Sequence, residues 1–260
     1  VTLSADSPET TPEPYADYGY GSHVGLRREL NEDSYVVTDT LFAVADGMGG
    51  HEAGEVASSV AVQALAEGWE AAGGKVGQGE IQQFLDDADA RIRAATDSKA
   101  GTTLTGAVVV PGHGGTADAD AGGTGQWQWL VFNIGDSRTY LLNDGALIRL
   151  TRDHSQVQEL LDSDMITADE VENHPQRNVI TRALGAGDMW DADFSTATVA
   201  SGQRLLVCSD GLTGELTDEQ IAHILNAGHN AQDTVDWLIH QALRHGGRDN
   251  VTVILVDVTS

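Results

Sequence analysis

Cysteine, basic side chains and long apolar runs are what this chain has least of. Its single cysteine, Cys208, rules out a disulfide within the chain and suits a reducing compartment. Because Cys208 ends the apolar run Leu205-Leu206-Val207-Cys208, it reads as a buried strand residue rather than a nucleophile. Lysine and arginine number 14 against 40 aspartates and glutamates, giving a net charge of −26. Such a charge argues against general binding to nucleic acid or anionic membranes, which need basic patches. It also repels any phosphate-bearing substrate unless bound cations invert the charge locally. No apolar run is long enough to span a bilayer, and the N-terminus is neither basic nor apolar as a signal peptide would be. A soluble cytoplasmic protein is the expectation.

What is there is a globular composition, 40% apolar over 260 residues, enough for one large domain or two small ones. Residues 1–17 are acidic, proline-bearing and without periodicity, so a mobile tail is expected, with structure starting near Tyr18. Strand-like runs follow at 20–24, 34–37 and 41–45. Ala53, Val56, Ala57, Val60, Ala61, Ala64 and Leu65 repeat at helical spacing, and a second helix is expected over 81–95. Strands at 102–110 and 127–133 flank a stretch rich in Gly, Ala, Asp and Thr that reads as a hairpin loop. Asn143-Asp144-Gly145 joins strands at 138–142 and 146–150 in a tight turn. Residues 151–190 are polar and short of strand signals, with a small helix opened by Thr167-Ala168-Asp169-Glu170. A strand at 203–208, a helix capped at Thr217, another around Val235-Leu243 positions, and a last strand at 251–256 complete the chain. Strands in groups with helices inserted in pairs favour an α+β layering with mostly antiparallel sheets.

Acidic stretches stand at the ends of these strands: Asn31-Glu32-Asp33, Asp46-Gly47, Gly135-Asp136-Ser137-Arg138, Ser209-Asp210-Gly211 and Arg248-Asp249-Asn250. Each alone reads as an ordinary turn or helix cap, for which Asp and Gly are common. Together they bring carboxylates from distant positions toward one cleft. Oxygen ligands of this kind suit hard divalent cations such as Mg²⁺, which keep several waters.

With the motifs Gly25-Leu26-Arg27-Arg28, Asn31-Glu32-Asp33-Ser34, Val44-Ala45-Asp46-Gly47-Met48-Gly49-Gly50-His51, Gly101-Thr102-Thr103-Leu104-Thr105, Gly135-Asp136-Ser137-Arg138, Ser209-Asp210-Gly211-Leu212 and Arg248-Asp249-Asn250, the chain resembles the metal-dependent serine/threonine protein phosphatases of type 2C, in their bacterial form. Thr151-Arg152-Asp153-His154-Ser155 and His174-Pro175-Gln176-Arg177-Asn178 also look like the bacterial members, and the likeness runs over residues 21–258. It implies a four-layer α-β-β-α sandwich of two mostly antiparallel sheets flanked by helices, with residues 18–260 one catalytic domain and 151–190 a flap framing the substrate. It implies two divalent ions, Mn²⁺ or Mg²⁺, bridged by Asp46. Asp210 and Asp249 would complete the first ion's protein ligands, and the Gly47 carbonyl would join the second. Glu32 and Asp33 would act largely through coordinated water, and Asp136 with Asp210 would hold a third, weaker ion. Arg28 would grip the phosphate, with its neighbour Arg27 the competing candidate. His51 would be the general acid, the alternative being a helix-start histidine with a local hydrogen bond.

The activity implied is hydrolysis of phosphoserine and phosphothreonine in proteins, opposing a bacterial serine/threonine kinase. A free-standing monomer is expected, with no nucleic acid or membrane partner. A catalytically silent regulatory member of the same fold is the main rival, and it predicts a missing metal carboxylate, which is not seen. An acidic calcium-binding protein and a hydrolase of small phosphate esters are the others.

Overall fold

The computed structural model describes residues 15–49, 53–112, 126–171, 174–187 and 190–259. Strand β3 (Leu41–Met48) shows how the layers are laid down. Leu41, Ala43 and Ala45 face one way, into a core with the helices α1 (Ala53–Ala71) and α2 (Gln78–Thr96), while Phe42 and Val44 face a second sheet. That is the period of two that strand geometry imposes, with both faces apolar because both are covered.

One sheet has the order β2-β3-β5-β6-β9, from β2 (Asp33–Val37), β5 (Leu104–Pro111), β6 (Trp127–Ile134) and β9 (Asp193–Thr198), with the short β4 (Gly101–Thr102) added to β3. The other runs β1-β11-β10-β7-β8, from β1 (Tyr15–His23), β7 (Arg138–Asn143), β8 (Ala146–Arg149), β10 (Arg204–Cys208) and β11 (Val251–Thr259). Every strand pairing within the two is antiparallel. Helices α6 (Asp218–Leu225) and α7 (Ala231–His245) cover the second sheet through Ile221, Ile224, Val235 and Leu238. The outcome is the expected α-β-β-α sandwich. Short helices α3 (Gln156–Asp162), α4 (Ala168–Val171) and α5 (Asp210–Thr213) lie outside the layers' main helix pairs.

Local chemistry explains several boundaries. Thr217 and Gln220 close a reciprocal capping box on α6, the Thr217 N–H donating to Gln220 Oε1 at 2.9 Å. Asp144 and Gly145 take positive φ, 50° and 80°, the turn that matches the twist of the β7–β8 hairpin. Pro111 pairs opposite Trp127, so β5 and β6 do form a hairpin, whose loop residues 113–125 lie outside the described residues.

Three expectations change. Structure begins at Tyr15, Ala16 and Asp17, inside the stretch expected to be tail, are strand, because β1 pairs along all of β11, Tyr15 opposite Thr259; residues 1–14 lie outside the described residues. Strand β9 closes the first sheet where no strand was expected. The segment 151–190 carries α3 as well as α4 and is fastened at both ends. Near its start, Ser155 bridges Ile180, and the Thr181 N–H donates to the His154 carbonyl at 2.8 Å. Near its end, Leu184 and Thr102 exchange two backbone hydrogen bonds of 3.0 Å, and the Gly185 N–H donates to Asp89 Oδ1 of α2 at 2.7 Å.

Candidate active site

Followed along the strands, the layer between the sheets changes character at one end. On β5 the inward row runs Val109, Ala107, Thr105 and continues to Thr103 just before the strand; on β7 it runs Leu141, Thr139 and back to Ser137 before it; on β11 it runs Ile254, Thr252 and back to Asn250 before it. On β3 the row Phe42, Val44 ends at Asp46, and on β10 the row Leu205, Val207 ends at Ser209. Hydroxyls thus give way to carboxylates at the end of the sandwich.

The hydroxyls are paired across the sheets. Thr105 and Thr139 lie 3.0 Å apart and Thr103 and Ser137 2.8 Å, while within one sheet Ser22 and its β11 neighbour Thr252 lie 2.7 Å apart. Thr103 also brackets Asp46: its Oγ1 accepts the Asp46 N–H at 3.0 Å and its own N–H donates to the Asp46 carbonyl at 2.9 Å. Asp33 stands directly opposite Asp46 in the β2–β3 register, so the two side chains share a face, and Ser209 donates to Asp33 Oδ2 at 2.8 Å.

The carboxylates are not paired in this way. Glu32 Oε1, Asp33 Oδ1, Asp136 Oδ1 and Asp210 Oδ1 are buried without a hydrogen-bond partner. Burial, then mutual repulsion, raises the pKa of Asp46, Asp136 and Asp210, and burial pushes Asp33 up to about 7. Unsatisfied buried oxygens carrying like charges call for positive charge. All-oxygen donors fit a hard divalent cation. Among the described residues no three His, Cys, Asp or Glu side chains are arranged to enclose an ion by themselves.

Asp249 differs. Its Oδ1 accepts the Asn250 N–H at 2.9 Å and its Oδ2 accepts Arg28 Nη2 at 2.7 Å. Arg28, half exposed, is thereby held at the mouth of the site; Arg27 has no such contact with the carboxylates among those the structure shows. Asn250 sets the loop that carries Arg28: its Nδ2 donates to the Val24 and Leu30 carbonyls, and its Oδ1 accepts the Glu32 N–H at 2.8 Å. Close backbone contacts require glycine directly after two of these aspartates. A Cβ on Gly47 would stand 2.0 Å from the Gly54 carbonyl oxygen, and one on Gly211 would stand 1.8 Å from that of Asn250.

The structure therefore brings Glu32, Asp33, Asp46, Gly47, Asp136, Asp210, Asp249 and Arg28 to one end of the sandwich. His51 lies outside the described residues, as does Gly50. Arg138 grips Asp153, Nε at 3.0 Å and Nη2 at 2.7 Å, in a network that continues through Tyr140 to Asp218. Sequence reasoning gave no role to Thr103, Ser137, Ser209 and Asn250, although all four lie inside or beside motifs it singled out; polar residues at inward strand positions were the available signal.

Comparison with known proteins agrees with this geometry. Residues 20–160 match the family model described as protein phosphatase 2C. The serine/threonine phosphatase stp of Listeria monocytogenes is 34% identical over 247 residues, 90% of this chain and 92% of that one. PstP, a serine/threonine protein phosphatase of Mycobacterium tuberculosis, is 39% identical over 254 residues; the match covers 93% of this chain and 45% of PstP. The crystal structure of PstP superimposes with a TM-score of 0.82 at 35% identity, covering 95% of this chain and all of that one. The PstP catalytic domain with two manganese ions gives 0.80 at 34%, covering 95% of this chain and 100% of that one. The carboxylates at strand ends, the fold and these likenesses converge: the chain belongs to the protein phosphatase 2C family and is a serine/threonine phosphatase of the bacterial type.

Proposed function

We propose that the substrates are phosphoserine and phosphothreonine residues of proteins and that hydrolysis occurs at a centre of two Mn²⁺ or Mg²⁺ ions. Asp46 would bridge the two, Asp210 and Asp249 would hold the first, and the Gly47 carbonyl the second. Glu32 and Asp33 would bind through water, and Asp136 with Asp210 would take a third, weaker ion. The observation that carries this reading is the set of four buried, unpartnered carboxylate oxygens on Glu32, Asp33, Asp136 and Asp210.

The ions would supply a water deprotonated near neutral pH and charge to offset that on the phosphoryl oxygens. The protein's own groups do the rest. Arg28 spends one N–H on Asp249 and has further donors in a planar fork for the phosphate. Asn250 and Thr103 hold the backbones of Glu32 and Asp46 so that the carboxylates need not reorganise. His51 would donate the proton to the departing serine or threonine oxygen. Cys208 has no part in it: fully buried, its thiol is pushed up to about 12.

We place the enzyme in the cytoplasm as a monomer with one catalytic domain, acting against a serine/threonine kinase; no helix among the described residues is long and apolar enough to cross a membrane. An equilibrium Mn²⁺ titration tests the centre. The wild-type chain should bind at least two ions and Asp210→Asn fewer; a wild-type chain that binds none overturns the proposal.

A further inference from the structure

The turn Gly135-Asp136-Ser137 is held on one side by Thr103 and on the other by a residue outside the carboxylate cluster, His154. That imidazole is only 1% exposed. The His154 N–H donates to the Gly135 carbonyl at 2.8 Å, and His154 Nδ1 accepts the Gly135 N–H at 3.1 Å. Both backbone polar groups of the residue before Asp136 thus meet one histidine. With Nδ1 an acceptor, the ring proton sits on Nε2, which lies 3.1 Å from Asp193 Oδ2 of β9. Arg182 Nη1, though 3.3 Å from the same nitrogen, has its acceptors in Asp193 Oδ1 and the Asp191 carbonyl. Burial lowers the imidazole's pKa and keeps this neutral tautomer. The His154 carbonyl, finally, accepts the Thr181 N–H at the base of the flap.

We propose that His154 is a positioning residue for Asp136, aiming that carboxylate through the Gly135 backbone. This rests on Asp136 being a ligand of the weaker cation. Metal sites depend on such outer groups because a ligand free to rotate binds less tightly than one already aimed.

Two substitutions separate the functions of the ring. His154→Asn retains an acceptor near the position of Nδ1 and loses the reach to Asp193. His154→Gln retains a donor near the position of Nε2 and loses the acceptor for Gly135. The full chain is titrated with Mn²⁺, free ion being read by electron paramagnetic resonance, beside Asp136→Asn as reference. His154→Gln should weaken the weaker site by about 10–100-fold, as outer-shell losses do, while His154→Asn stays close to wild type. If His154→Gln titrates like wild type while Asp136→Asn loses the site, or if both His154 variants lose it equally, the positioning role is wrong. If Asp136→Asn titrates like wild type, it is the cation on Asp136 that falls, and the role of His154 with it. Where a variant does not fold, Mg²⁺ titration of the wild-type protein decides by nuclear magnetic resonance. The Gly135 amide and the His154 ring nitrogens should shift together as the weaker site fills; resonances that stay put overturn the proposal.

Discussion

The layer between the two sheets contains two regions built on opposite rules. At one end Phe42, Trp129, Val131, Leu205 and Ile254 interdigitate, Phe42 meeting Trp129 edge to face at 6.3 Å. At the other, hydroxyls pair with hydroxyls, and Glu32, Asp33, Asp136 and Asp210 each keep one buried oxygen without a partner. The apolar end holds the sheets together through burial. The polar end weakens the metal-free fold, because buried like charges repel and lack solvation. Stability and chemistry therefore reside in different thirds of the same strands, and substitutions at the two ends should have opposite consequences.

The largest effect is expected at Asp46. Asp46→Asn should lower phosphatase activity on the order of a thousandfold or more if, as proposed, Asp46 bridges the two ions. The same change should raise the Tm of the metal-free protein near neutral pH, because folding no longer has to protonate or desolvate that carboxyl group. A lower Tm in thermal melts with chelator present would contradict the picture of a destabilised polar end. At the opposite end, Phe42→Ala should reduce stability by about 3–5 kcal/mol while leaving Mn²⁺ affinity of the folded protein intact. Denaturant unfolding and metal titration check the two halves of that statement.

The pH dependence sharpens the contrast. Asp33 is raised from 3.8 to about 7, and Asp46, Asp136 and Asp210 are raised too. Between the unfolded and folded pKa values the native state binds more protons than the unfolded chain. The stabilisation is therefore complete below about pH 4 and is lost as pH rises through about 7. Metal-free Tm should fall from about pH 5 to about pH 8, and saturating Mn²⁺ should abolish that fall by taking the place of the protons. A metal-free Tm that is flat or rising over this interval would count against it.

The smallest effect concerns the boundary between the two regions. Thr105 and Thr139, both fully buried, satisfy each other at 3.0 Å. Thr105→Val alone should cost about 1–3 kcal/mol by stranding its partner, and adding Thr139→Val should return most of it. A double-mutant cycle with additive losses would show that the pair is not a unit.

How much of this was legible in the sequence follows the same division. The buried runs Leu41-Phe42-Ala43-Val44-Ala45 and Arg204-Leu205-Leu206-Val207-Cys208 declare themselves because both faces of each strand are covered. Strand β9 does not, since Asp193–Thr198 lies at a sheet edge with few buried positions and no apolar pattern. Helix α3 is a short piece in a polar stretch, marked only by Ser155 accepting the Gln158 N–H at 3.3 Å. The acids at the strand ends could be read because carboxylates stand out against apolar neighbours. Their supports could not. Thr103 meets Ser137, Ser209 meets Asp33, and His154 meets Gly135 across the fold, contacts that no local spacing records.

The acidic end of the sandwich should act as a metal-dependent phosphatase centre. The most direct test is phosphate release from a phosphothreonine peptide by the wild-type chain, with Mn²⁺ and with chelator. Release that requires Mn²⁺ and stops on chelation is the expected result; absence of release with Mn²⁺ verifiably bound would contradict the account.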